Sequence, residues 1–66
     1  MNKIREYRER YELSQEELAR CLGIDRSSVA KWESGCNTPR LAHLLELARI
    51  FHCSVDELVG LKERRD

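Results

Sequence analysis

Apolar residues recur every three or four positions along the chain, which is the spacing of amphipathic α-helices. The pattern begins with Ile4, Tyr7 and Tyr11, which predict a first helix over residues 3–11 that ends near Glu12. The sequence contains one proline and three glycines among 66 residues, and no stretch alternates in the manner of a β-strand. We therefore expect an all-α fold.

A second helix should begin at Ser14. Ser14 and Glu17 have the spacing of a capping box, in which each side chain can bond to the backbone N–H of the other residue. The predicted helix is two to three turns long. Its inward-facing positions are Leu18, Ala19 and Leu22.

Gly23 interrupts the helical pattern. A residue just past a helix end often has a positive φ, which glycine adopts without steric cost. Asp25 is then placed to cap a third helix, which we expect to run to about Ser34. Val29 and Trp32 are its predicted inward-facing residues.

Gly35 should end the third helix, and Thr38 with Pro39 predicts the start of a fourth, because proline is tolerated in a first helical turn. The fourth helix, at about 40–51, has the widest apolar stripe, and we expect it to be the most buried helix. The stripe consists of Leu41, Leu44, Leu45, Leu47, Ala48 and Phe51.

A short fifth helix is predicted from Ser54 and Glu57, which repeat the capping-box spacing. We expect a single domain over residues 1–66, with a core of about 3–60 and a charged tail, 61–66, that frays. The apolar positions of the fifth helix are Val55, Leu58 and Val59.

Composition excludes several classes of protein. Apolar residues make up 41% of the chain and charged residues 36%, which is too apolar for a disordered tail and too charged for a membrane span. No apolar run approaches the roughly 18 residues of a transmembrane helix, and no signal-peptide pattern opens the chain. These features predict a cytoplasmic protein that does not enter a membrane.

The sequence offers no recognisable catalytic or metal-binding constellation. Cys21, Cys36 and Cys53 are odd in number and widely spaced, which favours neither a disulfide framework nor a zinc site. No nucleophile, base and orienting partner can be grouped from the remaining residues. We expect no enzymatic activity, no cofactor and no bound metal.

The second and third helices are joined by about three residues centred on Gly23, which are the dimensions of a helix-turn-helix. The segments LSQEELARCLGI, SSVAKWESG, TPRLAHLLELARIF and SVDEL follow one another in the order and spacing of a known family. Over residues 3 to about 60 the chain resembles the Cro/repressor-type helix-turn-helix domains of phage repressors and small bacterial regulators. The resemblance implies a compact five-helix bundle, similar to that of lambda repressor, which binds double-stranded DNA.

In this family the third helix lies in the major groove. The resemblance therefore makes Arg26, Ser27 and Lys31 the candidate base-reading residues. Arg26 is the expected main determinant of specificity, because a guanidinium matches the O6 and N7 acceptors of guanine. The residues expected to pack the helix-turn-helix are Ala19, Gly23, Val29 and Trp32.

Other residues are candidates for contacts with the DNA backbone. Gln15 occupies the first turn of the second helix, where the helix dipole favours a phosphate. Arg40 matches a position at which some phage repressors carry an arginine near the minor groove. The further candidates are Ser28, Gly35, Cys36, Asn37 and Thr38.

The resemblance also implies an ion pair between Arg8 of the first helix and Glu33 of the third. Four residues depart from the family pattern. Glu12 and His52 stand at helix ends where relatives often carry glycine or asparagine, Arg40 replaces the usual serine or threonine, and Cys36 occupies a loop site that is often basic or polar. We expect the turns at Glu12 and His52 to be strained or differently shaped. A further hypothesis makes Cys36 a thiol switch that blocks DNA binding when it is oxidised.

The leading hypothesis is a sequence-specific transcriptional regulator, expected to be a repressor, that binds a palindromic operator as a homodimer. The fifth helix and its flanks, with Val59 and Leu61, would form the dimer surface, although Val59 could equally belong to the core.

The alternative hypothesis is a protein-interaction module on the same fold, such as an antitoxin-like or adaptor domain. Its support is the net charge of zero, with 12 basic and 12 acidic residues. The placement of charge separates the two hypotheses. One positive face would favour DNA, and neutralisation of that face by Glu16 and Glu17 would favour a protein partner. The positive face would contain Gln15, Arg26, Lys31 and Arg40.

Overall fold

The computed structural model describes residues 3–60, and these form five α-helices with no β-strand within that range. The all-α prediction is confirmed. Residues 61–66, which include Leu61 and the predicted fraying tail, lie outside the described part of the chain. The helices are α1 (Ile4–Arg10), α2 (Gln15–Leu22), α3 (Arg26–Ser34), α4 (Leu41–Phe51) and α5 (Val55–Val59).

A single hydrophobic cluster lies at the centre of the bundle, and every helix contributes to it. α1 packs against α3, α4 and α5, whereas α2 packs against α3. The backbone N–H of Lys3 donates to the carbonyl of Leu58 (2.8 Å), which joins the start of α1 to α5. The buried residues of this cluster are Ile4, Leu18, Ala19, Val29, Trp32, Leu47, Phe51 and Leu58.

Both predicted capping boxes are present. The Ser14 hydroxyl accepts from the Glu17 N–H (3.0 Å), and the Glu17 carboxylate accepts from the Ser14 N–H (2.8 Å). These hydrogen bonds lower the pKa of Glu17. Ser54 and Glu57 make the same two bonds at the start of α5. The starts of α2 and α5 are therefore fixed by residues three positions apart.

Each of the five helices of residues 3–60 is closely followed by a residue with a positive φ. The residue that follows α2 is Gly23, with φ 71°, and the N–H of Ile24 donates to the carbonyl five residues earlier. Glu12 and His52 take the same left-handed conformation after α1 and α4, with φ 58° and 52°. Both turns therefore have the shape that glycine gives elsewhere in the chain, in a conformation that the Cβ atoms of Glu12 and His52 oppose.

Two predicted helix starts differ from the structure. Asp25 is the N-cap residue of α3, but its side chain makes no capping hydrogen bond. α4 begins at Leu41 with Arg40 as its N-cap residue, so Pro39 precedes the helix instead of occupying its first turn. Pro39 is buried, which indicates that it serves packing at this point of the chain.

The prediction that α4 is the most buried helix is wrong. Leu41 is 64% exposed and Leu45 is 51% exposed, because α4 packs on α1 and α5 and its stripe is wider than those neighbours cover. Tyr11 is also 42% exposed, although its hydroxyl donates to the carbonyl of Phe51 (3.1 Å). In so small a domain, part of a wide apolar stripe stays in contact with water.

Replacing Glu12 with glycine should raise the free energy of unfolding by about 1 kcal/mol, because glycine adopts the left-handed conformation without a Cβ clash. Urea denaturation at pH 7 measures the change. Glu12→Ala is the control, since it removes the carboxylate but keeps the Cβ, and it should bring no gain. Equal stabilisation by the two substitutions would assign the effect to charge and contradict the strain at this turn.

Candidate nucleic-acid interface

The turn between α2 and α3 is built around Gly23. An added Cβ at this glycine would meet no atom within 4 Å, so the positive φ, and not lack of space, selects the residue. Ala19 is 2% exposed and lies in the core with Val29 and Trp32 of α3. Of the four residues expected to pack the helix-turn-helix, Ala19, Val29 and Trp32 lie together in the core, whereas Gly23 is exposed and supplies the turn.

The opposite side of α3 faces solvent. Arg26, Ser27 and Lys31 are all exposed, whereas Ser28 is half-buried. At 100° per residue the three exposed side chains span an arc of about 140°, on the side of α3 away from its buried positions. They are therefore available together to one ligand.

Beside this face, Arg8 and Glu33 form the expected ion pair. Arg8 Nε donates to Glu33 Oε2 (2.6 Å), and Arg8 Nη2 donates to Glu33 Oε1 (3.1 Å). Both side chains are nearly buried, at 11% and 5% exposure, and the hydrogen bond to Glu33 raises the pKa of Arg8. Arg8 Nη1 donates to the carbonyl of Leu13 (2.7 Å), so all three guanidinium nitrogens have partners within the protein.

Gln15 connects this ion pair to the exposed face of α3. Its Nε2 donates to Glu33 Oε1 (3.1 Å), and its Oε1 accepts from Arg26 Nη1 (3.2 Å). The sequence indicated a role for each of these residues but not the link between them. The available signal was position, because Gln15 and Arg26 each occupy the first residue of a helix in the packed pair α2 and α3.

In the loop from Gly35 to Arg40, the first three backbone N–H groups are already hydrogen-bonded within the protein. The backbone N–H groups of Cys36 and Asn37 donate to the carbonyl of Lys31 (2.9 and 3.2 Å), and that of Gly35 donates to Trp32 (3.2 Å). These N–H groups therefore complete the end of α3. The exposed side chains left to contact a phosphate belong to Cys36, Asn37, Thr38 and Arg40.

Acidic residues near the start of α2 have partners of their own. Glu16 lies 3.9 Å from Arg20, with both side chains 72% exposed, and Glu17 is held by Ser14. Glu16 also lines a shallow groove with Arg20, Asp25 and Arg26. The groove along this edge of α3 therefore contains both acidic and basic side chains. Of the two carboxylates in the first turn of α2, Glu16 pairs with Arg20 and Glu17 is bonded to Ser14.

The remaining candidate groups are the three cysteine thiols. The thiols of Cys21, Cys36 and Cys53 are free, and burial raises the pKa of the Cys53 thiol. Within residues 3–60 no group of three potential metal ligands comes together. No helix in that range is long and apolar enough to cross a membrane.

With this geometry established, comparison with known proteins places the chain in a family. The family model described as "Helix-turn-helix" matches residues 4–58, which include all five helices apart from the last residue of α5. The chain belongs to the Cro/repressor-type helix-turn-helix family. It is a DNA-binding helix-turn-helix domain of the kind found in transcriptional regulators.

The proteins similar to this chain include one named as an activator and one named as a repressor. An uncharacterized HTH-type transcriptional regulator of Archaeoglobus fulgidus is 36% identical over 85% of the chain and 80% of its own length. The transcriptional activator BcrR of Enterococcus faecalis is 34% identical over 92% of the chain. The cryptic phage CTXphi transcriptional repressor RstR of Vibrio cholerae is 32% identical over 94% of the chain. The chain spans 30% of the activator and 56% of the repressor.

Breaking the ion pair from one side should destabilise the domain strongly. Glu33→Ala leaves the guanidinium of Arg8 without its counter-ion, and we expect a loss of about 3 kcal/mol in the free energy of unfolding. The double variant Arg8→Met with Glu33→Leu should recover most of that loss, because it leaves no unpaired charge. Urea denaturation measures both variants, and a double variant as unstable as Glu33→Ala would contradict this account.

Proposed function

We propose that the chain is a sequence-specific regulator that binds double-stranded DNA, with α3 in the major groove and Arg26, Ser27 and Lys31 reading base edges. The observation that carries this proposal is the exposed arc of these three side chains on a helix whose other side is anchored in the core. Arg26 would donate to guanine O6 and N7, and Ser27 would discriminate less, because a hydroxyl both donates and accepts.

The proposed contacts with phosphates surround this face. Gln15 keeps one amide hydrogen beyond its bond to Glu33, and it lies at the positive end of the α2 dipole. The other proposed contacts come from the side chain of Ser28 and from the loop between α3 and α4, with Arg40 toward the minor groove. The loop contributes the side chains of Cys36, Asn37, Thr38 and Arg40, whereas the expected contact from Gly35 is withdrawn because its N–H donates to the carbonyl of Trp32.

Repression is the proposed outcome of binding, in a cytoplasmic protein that needs no cofactor and has no enzymatic role. The phage repressor among the relatives supports repression. A domain that occupies a promoter also blocks transcription without any further contacts. We propose residues 3–60 as the DNA-binding unit. Two copies would read half-sites about 34 Å, or a multiple of that distance, apart in a palindromic operator.

The dimer surface proposed for this arrangement is α5 with its flanks, where Val59 is half-buried within one copy. The protein-interaction module remains the second candidate. Its support is the zero net charge and the exposure of Leu41 and Leu45. The relatives are named as transcriptional regulators, which favours DNA as the partner.

Selection from a random duplex library, with the protein stoichiometry measured on the winning sequence, tests the proposal directly. We expect a two-fold symmetric motif bound by two copies of the chain. Failure to enrich any motif would rule out sequence-specific binding and favour the protein-interaction module. An asymmetric motif bound by one copy would retain base reading and remove the homodimer.

Arg26→Ala should lower discrimination at one base position by about 1 to 3 kcal/mol, because it removes a bidentate contact with guanine. Arg40→Ala is the control, since a backbone contact should weaken binding to all sequences alike. Fluorescence anisotropy on the selected duplex and its single-base variants measures both. The assignment of Arg26 would be wrong if its preference profile matched that of Arg40→Ala.

The logarithm of the affinity for the selected duplex should fall linearly with the logarithm of the salt concentration, because each lysine or arginine that meets a phosphate releases counterions. Titrations between 50 and 200 mM salt measure the slope, at about −0.9 in log affinity per phosphate contacted. Arg40→Ala should make the slope shallower by about one such unit. An affinity independent of salt would contradict binding through the backbone.

A further inference from the structure

Gln15 lies between a carboxylate and a guanidinium that belong to different parts of the fold. On one side its amide nitrogen donates to Glu33 Oε1 (3.1 Å), and on the other its amide oxygen accepts from Arg26 Nη1 (3.2 Å). Glu33 is held in turn by two hydrogen bonds from Arg8. A continuous chain of side-chain hydrogen bonds therefore runs from α1, through the end of α3 and the start of α2, to the first residue of α3.

The chemistry of the two ends permits only one orientation of the Gln15 amide. The Glu33 carboxylate can only accept hydrogen bonds, and the Arg26 guanidinium can only donate them. A flipped amide would place its oxygen against the carboxylate and its NH2 group against the guanidinium, which would lose both bonds. Glu33 thus determines which edge of Gln15 faces Arg26.

We propose that Glu33 is a positioning residue for base reading, which acts through the amide of Gln15 to restrain the guanidinium of Arg26 before DNA binds. The inference rests on the proposed role of Arg26 as a base reader. Arg26 is exposed, and a long exposed side chain loses conformational freedom when it is fixed on a ligand. The bond to Gln15 reduces that loss and favours one placement of the guanidinium.

A purely structural Glu33 would have a different signature. Its side chain is 5% exposed and engages Arg8 and Gln15, so it supports the fold whatever DNA sequence is bound. Loss of structural support should weaken binding to all duplexes by the same factor. Loss of positioning should instead reduce the ratio between the affinities for the preferred and the altered base at the position read by Arg26.

The experiment compares two duplexes, which are the selected sequence and the same sequence altered at the base pair whose preference depends on Arg26. The Kd for the altered duplex divided by the Kd for the selected duplex is measured for the wild type and for Gln15→Met. The same ratio is measured for Arg8→Met with Glu33→Leu, the core double variant. The triple variant that combines all three substitutions completes a thermodynamic cycle. Arg5→Gln with Glu9→Gln is the matched control, because it removes an exposed ion pair of α1 with an N···O distance of 3.1 Å.

We expect the Kd ratio to fall about 3- to 10-fold in Gln15→Met and by a similar factor in the core double variant. A fall of this size is part of the discrimination that a bidentate arginine contact provides. The triple variant should show no further fall, because both changes break the same chain of bonds. The Arg5 and Glu9 control should keep the wild-type ratio.

Two results would overturn the inference while leaving the proposed function in place. One is an unchanged ratio in the core double variant, and the other is a fall in the triple variant equal to the product of the separate falls. A wild-type protein that shows no base preference would instead remove the proposed function, and the inference with it. The first measurement of the series separates these cases.

If the core double variant does not fold, Arg8→Leu with Glu33→Met is a second uncharged pair that also removes both acceptor oxygens of Glu33. The order parameter of the Arg26 Nε–H group, measured by NMR relaxation without DNA, then reports the restraint itself. We expect a lower order parameter in Arg8→Leu with Glu33→Met and in Gln15→Met than in the wild type. An Arg26 side chain equally ordered in all three proteins would overturn the inference.

Discussion

The arrangement of the first three helices depends on the hydrogen bonds that the Glu33 carboxylate accepts. It accepts two hydrogen bonds from Arg8 of α1 and one from Gln15 of α2, while it belongs to α3 itself. With 5% exposure it is largely removed from water, so the surrounding donors have to offset the cost of burying its charge. The same carboxylate that fixes α3 in the bundle therefore also contacts the residue that adjoins Arg26.

Features that depend on near neighbours in the sequence could be predicted well. Ser14 and Glu17 form a capping box because the three-residue spacing is sufficient to satisfy two backbone N–H groups. Gly23 ends α2 because a left-handed residue is needed there whatever surrounds it. Glu12 and His52 adopt that conformation as well, so the position of the helix end outweighs the preference of the residue.

Features that depend on the rest of the fold were harder to predict. The apolar stripe of α4 gave no indication that its neighbours would leave Leu41 and Leu45 exposed, because coverage is decided by the size and placement of other helices. The resemblance to a known family supplied the pairing of Arg8 with Glu33, which lie 25 positions apart. Residue types alone did not reveal that Gln15 would join that pair to α3.

The zero net charge of the chain requires any DNA-binding surface to arise from arrangement, and Arg26 carries the largest share of the proposed specificity. Replacing the guanine read by Arg26 with 7-deazaguanine removes the N7 acceptor and leaves the shape of the base pair unchanged. The Kd for this duplex, relative to the unmodified one, tests the account most directly. We expect a loss of about tenfold in the wild type and none in Arg26→Ala. An equal loss in both proteins would contradict the reading of guanine by Arg26.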